Sequence, residues 1–543
     1  MKRFVALYLA LDATTKTGAK ESALAAYFRA APAQDAAWAT FFLTGRKLKR
    51  LVRTRDLREA ALAATGLPEW LFEASYHAVG DLAETIALLL PPAEADDDGA
   101  LTHWVEQELA PLAGLPPAEV QARLRHAWTR LPADARFVHL KLITGAFRVG
   151  VAKQLVYRAL ALACEVPVTA LAQRLVGDWT PSAAFFDLVR GTGTTSATDH
   201  RPYPFFLAHP LEAEPASLGE VAQWQAEWKW DGIRAQLVVR GGLARLWSRG
   251  EELVSDAFPE IATAGALLPD GSVLDGEVLV WLHDAPLPAP FAHLQRRLNR
   301  KLPGPKLLRE VPVSLCAYDL LEQDGLDLRA VPLAVRRERL AALLPASPTL
   351  RLSPLVAGAS WADLAAARQR SREQHAEGLM LKRRDAAYGV GRVRGAWWKW
   401  KIEPYTVDAV LVYAQPGHGR RASLYTDYTF AVRDGDLLVP FAKAYSGLTD
   451  DEIRAVDGWI RAHTLERFGP VRRVEPLLVF ELAFEGLQRS TRHKSGLAVR
   501  FPRIARWRQD KPAAEADTLA TLRALADGQP DGRAATALPA PQA

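Results

Sequence analysis

The sequence predicts a multidomain protein with an all-α N-terminal domain, a central α+β domain and a C-terminal β-barrel domain. At 543 residues the chain is too long for a single hydrophobic core. The spacing of apolar residues changes from three and four to a shorter alternation near residue 205, and strand-like runs dominate after Pro404. The predicted domains are residues 1–195, 205–404 and 405–512, followed by a short helix and a disordered tail over 513–543.

The first domain is predicted to be helical because Ala, Leu and Arg dominate it and apolar residues recur at helical spacing. Ser22–Phe28 and the long run Phe137–Cys164 show this pattern best. The stretch from Gly191 to Ser196 contains only Gly, Thr and Ser, and two prolines follow it closely. This composition is typical of an interdomain linker.

The central domain shows short strands that alternate with helices. Ala235–Arg240 and Leu243–Trp247 flank Gly241 and Gly242, which predicts a β-hairpin with a two-glycine turn. A helix is predicted over residues 336–344. Another is predicted to begin at Ser360, where the carboxylate of Asp363 stands at the third helical position.

The third domain contains the strand-like runs Thr406–Tyr413, Ser423–Val432 and Leu477–Phe484, with turn residues between them. About a hundred residues of this kind predict a small barrel such as an OB-fold. Thr518–Ala526 is consistent with one helix, and the composition of the last residues predicts disorder.

Composition narrows the class of protein. The net charge of +6 and the pI of about 9.2 permit a polyanionic partner without requiring one. The only two cysteines, Cys164 and Cys316, are far apart, which argues against a disulfide framework or a zinc site and predicts a reducing cytoplasm. No apolar run reaches the length of a membrane span.

One short segment of the first domain is rich in basic residues and contains no acidic residue. This pattern is consistent with either a solvated helix face or a contact with a polyanion. The basic residues are Arg46, Lys47, Lys49, Arg50, Arg53 and Arg55.

The hexapeptide that begins at Lys229 and ends at Arg234 carries the strongest functional signal. It has the pattern K-x-D-G-x-R, with Asp231 and Gly232 at fixed offsets from the lysine. A lysine amine can act as a nucleophile once it has lost its proton, and burial and nearby cations favour that loss. Trp228 and Trp230 flank Lys229 and are expected to remove water from it.

Further short motifs follow the hexapeptide in a fixed order. Each of them alone has a plain structural explanation, such as a turn, an edge strand or a surface loop. Their order behind the hexapeptide is what gives them weight. In sequence they are Ser248-Arg249-Gly250, Leu274-Asp275-Gly276-Glu277, Ala317-Tyr318-Asp319, Glu377–Lys382, Trp398–Lys401, Arg500–Arg503 and Asp510-Lys511.

Together these motifs resemble those of the covalent nucleotidyltransferases, which comprise DNA ligases, RNA ligases and mRNA capping enzymes. The acid Glu227, the segment Asp319–Arg337, Phe291 with Leu294–Arg297, and the helical N-terminal region resemble the ATP-dependent DNA ligases, closest to bacterial ligases with a helical DNA-binding domain. The resemblance implies a helical DNA-binding domain, an α+β adenylation domain with the ATP-grasp-like nucleotidyltransferase fold, and an OB-fold. Gly250 departs from the family motif, and either Arg392 or Arg394 matches a family arginine.

The resemblance also implies a role for each motif residue. Lys229 is the catalytic nucleophile that carries AMP, and the remaining residues bind the nucleotide or the metal. Those expected to bind the nucleotide are Glu227, Arg234, Arg249, Glu277, Tyr318, Lys399, Lys401, Arg500, Arg503 and Lys511; those expected to bind the metal are Glu277 and Glu377. Within this set Glu227 accompanies the adenine, Tyr318 stacks on it and the two lysines Lys399 and Lys401 hold the α-phosphate.

The function predicted from this resemblance is sealing of 5′-phosphate/3′-hydroxyl nicks in duplex DNA through lysyl-AMP and DNA-adenylate. ATP is the expected cofactor, with Mg²⁺ or Mn²⁺, and nicked duplex DNA is the expected partner of a monomeric enzyme at the cytoplasmic nucleoid. Two alternatives remain: an RNA ligase or mRNA capping nucleotidyltransferase, and a non-catalytic scaffold that binds DNA ends. NAD as the adenylate donor is disfavoured, since the sequence lacks the cysteine-rich zinc module of that family.

Overall fold

The structure is a computed structural model. Lys49, Arg50 and Arg148, the linker positions 193–196 and the predicted disordered tail from residue 528 lie outside the residues that it describes. The described residues are 1–48, 51–97, 99–145, 147, 149–177, 179–192, 200–282, 285–298, 300, 302–417 and 421–527.

Helices account for the regular structure of the first 190 residues, as the apolar spacing predicts. Asp81 caps one helix by accepting a hydrogen bond from the Glu84 backbone at 3.0 Å, and Gly66 ends another in the left-handed region at a φ of 66°. The helices are α1 Lys2–Asp12, α2 Thr17–Ala30, α3 Ala33–Leu43, α4 Thr54–Thr65, α5 Glu69–Val79, α6 Leu82–Leu89, α7 Leu101–His103, α8 Pro117–Arg130, α9 Ala133–Thr144, α10 Lys153–Cys164, α11 Val168–Arg174 and α12 Ala183–Arg190.

The chain forms two compact units. One comprises residues 1–15, 41–150 and 403–543, and the other comprises residues 16–40 and 151–402. In the first unit α9 packs against α1 and α6, and α4 packs against α8. In the second unit α2 packs against α10. The domain boundaries expected from the sequence remain a prediction.

The central region, residues 205–402, contains two main sheets. One has four strands in the order β2-β12-β10-β3, and the other has the order β5-β4-β6-β7-β8 with β9 added beside β7. The elements are β1 Phe206–Leu207, β2 His209–Pro210, β3 Trp224–Trp230, β4 Ile233–Arg240, β5 Leu243–Ser248, α13 Pro259–Gly265, β6 Ser272–Val280, α14 Phe291–Gln295, α15 Pro305–Glu310, β7 Val313–Gln323, β8 Leu326–Asp327, α16 Leu333–Leu343, β9 Leu350–Leu352, α17 Trp361–Gln369, β10 Ala376–Arg383, β11 Gly391–Arg392 and β12 Trp397–Lys401.

The C-terminal region forms a strand-rich half-barrel of the OB-fold type, as the sequence predicts. The long first strand, β13, pairs with β14, β17 and β18, and this shared pairing curves the sheet around an apolar core that includes Phe430, Phe480 and Ile460. The elements are β13 Tyr405–Pro416, β14 Tyr425–Asp434, β15 Leu437–Ala444, α18 Asp450–Ala462, β16 Thr464–Phe468, β17 Val471–Val474, β18 Val479–Phe484, β19 Gly486–Arg489, β20 Leu497–Arg500, β21 Arg503–Trp507 and α19 Leu519–Asp527.

Candidate active site

One face of the four-stranded sheet is apolar, and the other carries a group of the predicted site residues. Trp224 and Ala226 on β3 pack with Leu379 and Leu381 on β10 in an apolar cluster. Because side chains alternate along a strand, Gln225, Glu227 and Lys229 point to the opposite face. Lys229 and Glu227 therefore share one surface of the sheet.

The strand register extends this polar face across β10 and β12. Met380 lies opposite Glu227 on one side and Lys399 on the other, while Lys382 lies between Gln225 and Trp397. The face is therefore ordered along the strands. Gln225 and Lys382 mark one end, and Lys229 and Lys401 mark the other. Glu227 and Lys399 lie in the row between these two ends.

At the amine end, the carboxylate of Glu377 joins two of the predicted site lysines. Its Oε2 lies 2.5 Å from Lys229 Nζ and 3.2 Å from Lys401 Nζ. Burial by itself favours the protonated carboxyl, but the two ammonium groups outweigh it and lower the pKa of Glu377. The side chain of Lys229 is only 22% exposed.

Lys399 contributes a third amine near this carboxylate. Burial lowers its pKa first, and the cations Arg392, Lys401 and Lys229 lower it further. Of the two arginines that compete for the family position, Arg392 is the one whose charge acts on Lys399. Such a group of cations around one partly buried point suits a phosphate.

The turn after Lys229 carries the chain from one sheet to the other. Asp231 and Gly232 lie between β3 and β4, which belong to different sheets. A Cβ atom at Gly232 would lie 2.4 Å from the carbonyl oxygen of Val278 and 2.7 Å from Leu279 Cδ2. Only glycine fits this close approach, which explains the fixed glycine of the hexapeptide.

Glu277 reaches the site from β6 of the second sheet. Burial raises its pKa to about 7, and the carboxylates Asp275 and Glu377 add to this effect while Lys229 and Arg234 oppose it. The neutral form of this side chain is therefore favoured compared with that of an exposed glutamate. A cation bound beside Glu277 would stabilise its charged carboxylate and displace the proton.

Arg234 is anchored within the protein. Its guanidinium donates to both oxygens of Asp275, at 3.1 and 2.7 Å, and to the carbonyl of Phe206 at 2.6 Å. The buried Asp275 also accepts hydrogen bonds from the hydroxyls of Tyr388, at 2.6 Å, and Tyr318, at 3.3 Å. Arg234 and Asp275 thus link strands β1, β4, β6 and β7 and the loop that holds Tyr388. A direct contact of Arg234 with nucleotide stays a prediction.

The other end of the polar face is more deeply buried. Glu227 is 1% exposed and accepts hydrogen bonds from Lys382, at 2.9 Å, and from Gln225, at 2.5 Å. Lys382 Nζ also lies 3.9 Å from the centre of the Tyr318 ring. The structure thus brings Glu227 and Tyr318, the two residues expected at the adenine, to the same place.

The remaining predicted residues lie elsewhere. Arg249 is exposed after β5, and its backbone amide donates to the carbonyl of Arg234 at 2.9 Å. Arg500, Arg503 and Lys511 belong to the other compact unit, with the half-barrel. There Arg503 lies 3.4 Å from Glu485, and Lys511 lies 2.8 Å from Asp408.

Within the described ranges, no three or more His, Cys, Asp or Glu side chains form a group able to hold a metal ion. In the same part of the chain no single helix is long and apolar enough to cross a membrane, although the bent pair α10 and α11 passes that test by length and composition together.

Comparison with protein-family models places most of the chain in one family. Residues 1–161 match the DNA ligase N terminus, residues 205–401 match the ATP dependent DNA ligase domain, and residues 421–511 match the ATP dependent DNA ligase C terminal region. The chain belongs to the ATP-dependent DNA ligase family. The match of its helical N-terminal region favours a DNA ligase over the RNA ligase and capping alternatives.

Individual relatives of this ligase agree with the family models. A probable DNA ligase of Koribacter versatilis is 35% identical, over 94% of this chain and 94% of its own length. A probable DNA ligase of Anaeromyxobacter sp. is 34% identical, over 89% of this chain and 95% of its own. The solved structure described as Pmar-Lig_PreS3 superposes with a TM-score of 0.61 over 93% of this chain and 99% of its own, at 14% identity, which supports the fold.

Proposed function

We propose that Lys229 is the residue that takes AMP from ATP in this ligase, and that the polar face of the four-stranded sheet binds the nucleotide. The observation that carries the proposal is the pairing of the Lys229 amine with Glu377, beside the amines of Lys401 and Lys399. A nucleophile, a carboxylate and two further amines thus meet where a charged phosphate has to be bound and attacked.

The first step forms a bond between Lys229 Nζ and the α-phosphorus of ATP, and breaks the bond from that phosphorus to the pyrophosphate oxygen. Lys399 and Lys401 neutralise the charge of the α-phosphate, because they lie on the same face as the nucleophile. A phosphate bound there competes with Glu377 for the ammonium groups. The carboxylate of Glu377 is then free to take up the proton that Lys229 has to lose.

Glu377 and Glu277 fit a divalent cation. Mg²⁺ and Mn²⁺ prefer oxygen ligands, and Mg²⁺ commonly binds through one or two carboxylates together with substrate phosphates. Glu277 has a pKa raised to about 7 because burial disfavours its charged form, so a cation nearby would stabilise that form. When bound, such an ion would supply neutralisation of the phosphate charge.

The later steps follow the general chemistry of the family. A 5′-phosphate oxygen at the nick attacks the AMP phosphorus, which breaks the bond to Lys229 and returns the amine. The 3′-hydroxyl oxygen then attacks the activated 5′-phosphate, and AMP leaves. Arg249 is exposed beside the hexapeptide and is proposed to contact the ribose or a substrate phosphate. We further propose that the enzyme acts as a monomer on nicked duplex DNA at the nucleoid.

Mass spectrometry of the full-length protein after incubation with ATP and Mg²⁺ tests this assignment. We expect one added AMP, located by peptide mapping on Lys229, and release of that AMP on addition of a nicked duplex. An AMP group on any other lysine, or no covalent AMP while the nick is sealed, would contradict the proposal.

The cations of the half-barrel are expected to act in the first step only. We predict that Arg503→Ala and Lys511→Ala slow formation of lysyl-AMP by about tenfold or more, since charge-assisted interactions of this kind are worth about 1.5–3 kcal/mol. Sealing of a pre-adenylated nick should change much less, because the pyrophosphate that these cations are proposed to orient exists only in the first step. Single-turnover rates of both steps check this. Equal reductions in both steps would indicate a role in DNA binding or in stability.

Basic residues of the helical region are proposed to bind the DNA backbone. Replacing Arg46 and Lys49 by alanine should weaken binding to nicked duplex. It should also make the log–log salt dependence shallower by about 0.9 for each phosphate that the variant no longer neutralises. Arg55→Ala is the matched control, because its guanidinium already pairs with Glu59 at 2.7 Å. Fluorescence anisotropy over a salt series measures the slope. An unchanged slope in the double variant would show that these two side chains do not bind phosphates.

A further inference from the structure

The strongest feature that the proposed function leaves unexplained is a buried ion pair at the far end of the polar face. Lys382 and Glu227 lie 2.9 Å apart, and each side chain is only 2% exposed. Removing two charges from water is costly, and such a pair is weak evidence for a stabilising role. A pair of this kind on the substrate-binding face calls for a functional explanation.

The geometry relates this pair to the nucleophile. Glu227 precedes Lys229 by two residues on β3, so the two side chains leave the strand on the same face, about 7 Å apart along it. A nucleotide bound through its phosphate to Lys229 and lying along that face would bring its base toward Glu227. The aromatic ring of Tyr318 lies beside the pair, with Lys382 Nζ 3.9 Å from its centre.

The orientation of the Glu227 carboxylate decides what it can recognise. A carboxylate only accepts hydrogen bonds, so it favours the 6-amino group of adenine and disfavours the 6-keto oxygen of guanine or hypoxanthine. Glu227 is 1% exposed, so the side chains that donate to it, and not water, fix its orientation. A carboxylate turned away from the base would lose the distinction between amino and keto bases.

We propose that Lys382 is a positioning residue that holds the Glu227 carboxylate in the orientation that meets the base, and thereby sets the preference of this ligase for ATP over 6-keto purine nucleotides. The inference rests on the proposed function, since it requires a nucleotide attached at Lys229. Gln225 assists by donating to the other carboxylate oxygen at 2.5 Å.

The other charged or titratable groups around Glu227 cannot replace Lys382. Arg337 on α16 is also cationic and feels the charge of Glu227, but its guanidinium donates to the carbonyl of Ser353. Cys316 on β7 is the other titratable group that feels this charge, and burial raises its pKa to about 12, so the thiol is neutral. Lys382 is therefore the cation that donates directly to the carboxylate.

The test compares ATP with ITP, which carries a keto oxygen in place of the 6-amino group. Initial rates of lysyl-nucleotide formation are measured with full-length wild type and Lys382→Met over a pH series. We expect Lys382→Met to raise the KM for ATP with little change in kcat, and to reduce the ATP-over-ITP ratio of kcat/KM by about 10- to 100-fold.

Lys141→Met is the matched control. Lys141 is also a buried lysine, paired with Asp81 at 2.5 Å, but it lies in the other compact unit. It should leave the ATP-over-ITP ratio and its pH profile unchanged. A ratio in Lys382→Met within twofold of wild type, or a reduction confined to kcat, would overturn the inference.

A second pair of variants covers the case in which Lys382→Met fails to fold. If Lys382→Met does not fold, Glu227→Gln is compared with the double variant Glu227→Gln/Lys382→Met, which removes both charges together. If Lys382 acts through Glu227, both variants have the same reduced ratio; a further change of the ratio in the double variant would overturn the inference. Absence of a lysyl-nucleotide in the wild type would instead refute the proposed function.

Discussion

Lys229→Arg should abolish formation of the AMP adduct, by at least about three orders of magnitude, while the protein remains folded. Arginine keeps a positive charge opposite Glu377 and therefore the ion pair, but its guanidinium does not lose a proton in proteins and cannot act as the nucleophile. Sealing of a nick that already carries AMP should persist at a reduced rate, because that step does not use the amine as a nucleophile. Mass spectrometry and gel assays of the two substrates measure these outcomes.

Lys229→Ala completes this experiment. It removes both the amine and the charge, so it should lose the adduct equally and also disturb Glu377, which would keep only Lys401 as a direct partner. If sealing of the pre-adenylated nick falls further in Lys229→Ala than in Lys229→Arg, the positive charge has a role of its own. An adduct formed at the wild-type level by either variant would refute the assignment of the nucleophile.

Glu377→Gln should impair both the first step and the sealing of a pre-adenylated nick, by about a hundredfold each. The amide cannot hold the amines of Lys229 and Lys401 by charge, and small errors in the position of reacting groups cost factors of this size. It also removes one of the two carboxylates proposed for the divalent cation. The pattern differs from that of Lys229→Arg, in which only the first step is abolished.

Glu373→Gln is the matched control, because Glu373 is an exposed glutamate on the short turn just before β10. It should leave both rates unchanged. Thermal unfolding of both variants separates catalysis from stability. If Glu377→Gln loses only stability and keeps both rates at a temperature where it is folded, the carboxylate is structural.

Local elements of the fold were predictable because their signals are local. The Gly241-Gly242 hairpin forms with Arg240 opposite Leu243, and Ser360 caps α17 with Asp363 in a complete capping box. The strands of the half-barrel also agree, with boundaries shifted by a few residues, as for Ser423–Val432 against β14. The sequence could not show that residues 16–40 and 151–190 share a compact unit with the central sheets, since that depends on contacts distant in sequence.

The motifs of the sequence suggested the proposed site residues but not the partners that position them in the structure. Lys382 and Asp275 stand inside recognised motifs, yet nothing in their spacing marked one as the partner of Glu227 and the other as the anchor of Arg234. Tyr388 lies outside every motif, although its hydroxyl donates to Asp275. Such partners are fixed by the register between strands and by burial, which one sequence does not display. The glycine of the hexapeptide could be assigned a reason only once Val278 was seen behind it.

In the proposed binding mode, the two-residue spacing between Glu227 and Lys229 on β3 sets the distance between the base and the α-phosphate of the nucleotide. Inserting or deleting a single residue between them would turn one of the two side chains to the apolar face, against Leu379 and Leu381. Length changes in this strand are therefore expected to disrupt the site, whereas substitution of Met380 on the neighbouring β10 leaves the spacing of Glu227 and Lys229 unchanged. Attempts to redesign this ligase for another base should for that reason leave β3 intact and vary β10, where Met380 and Lys382 face the same surface.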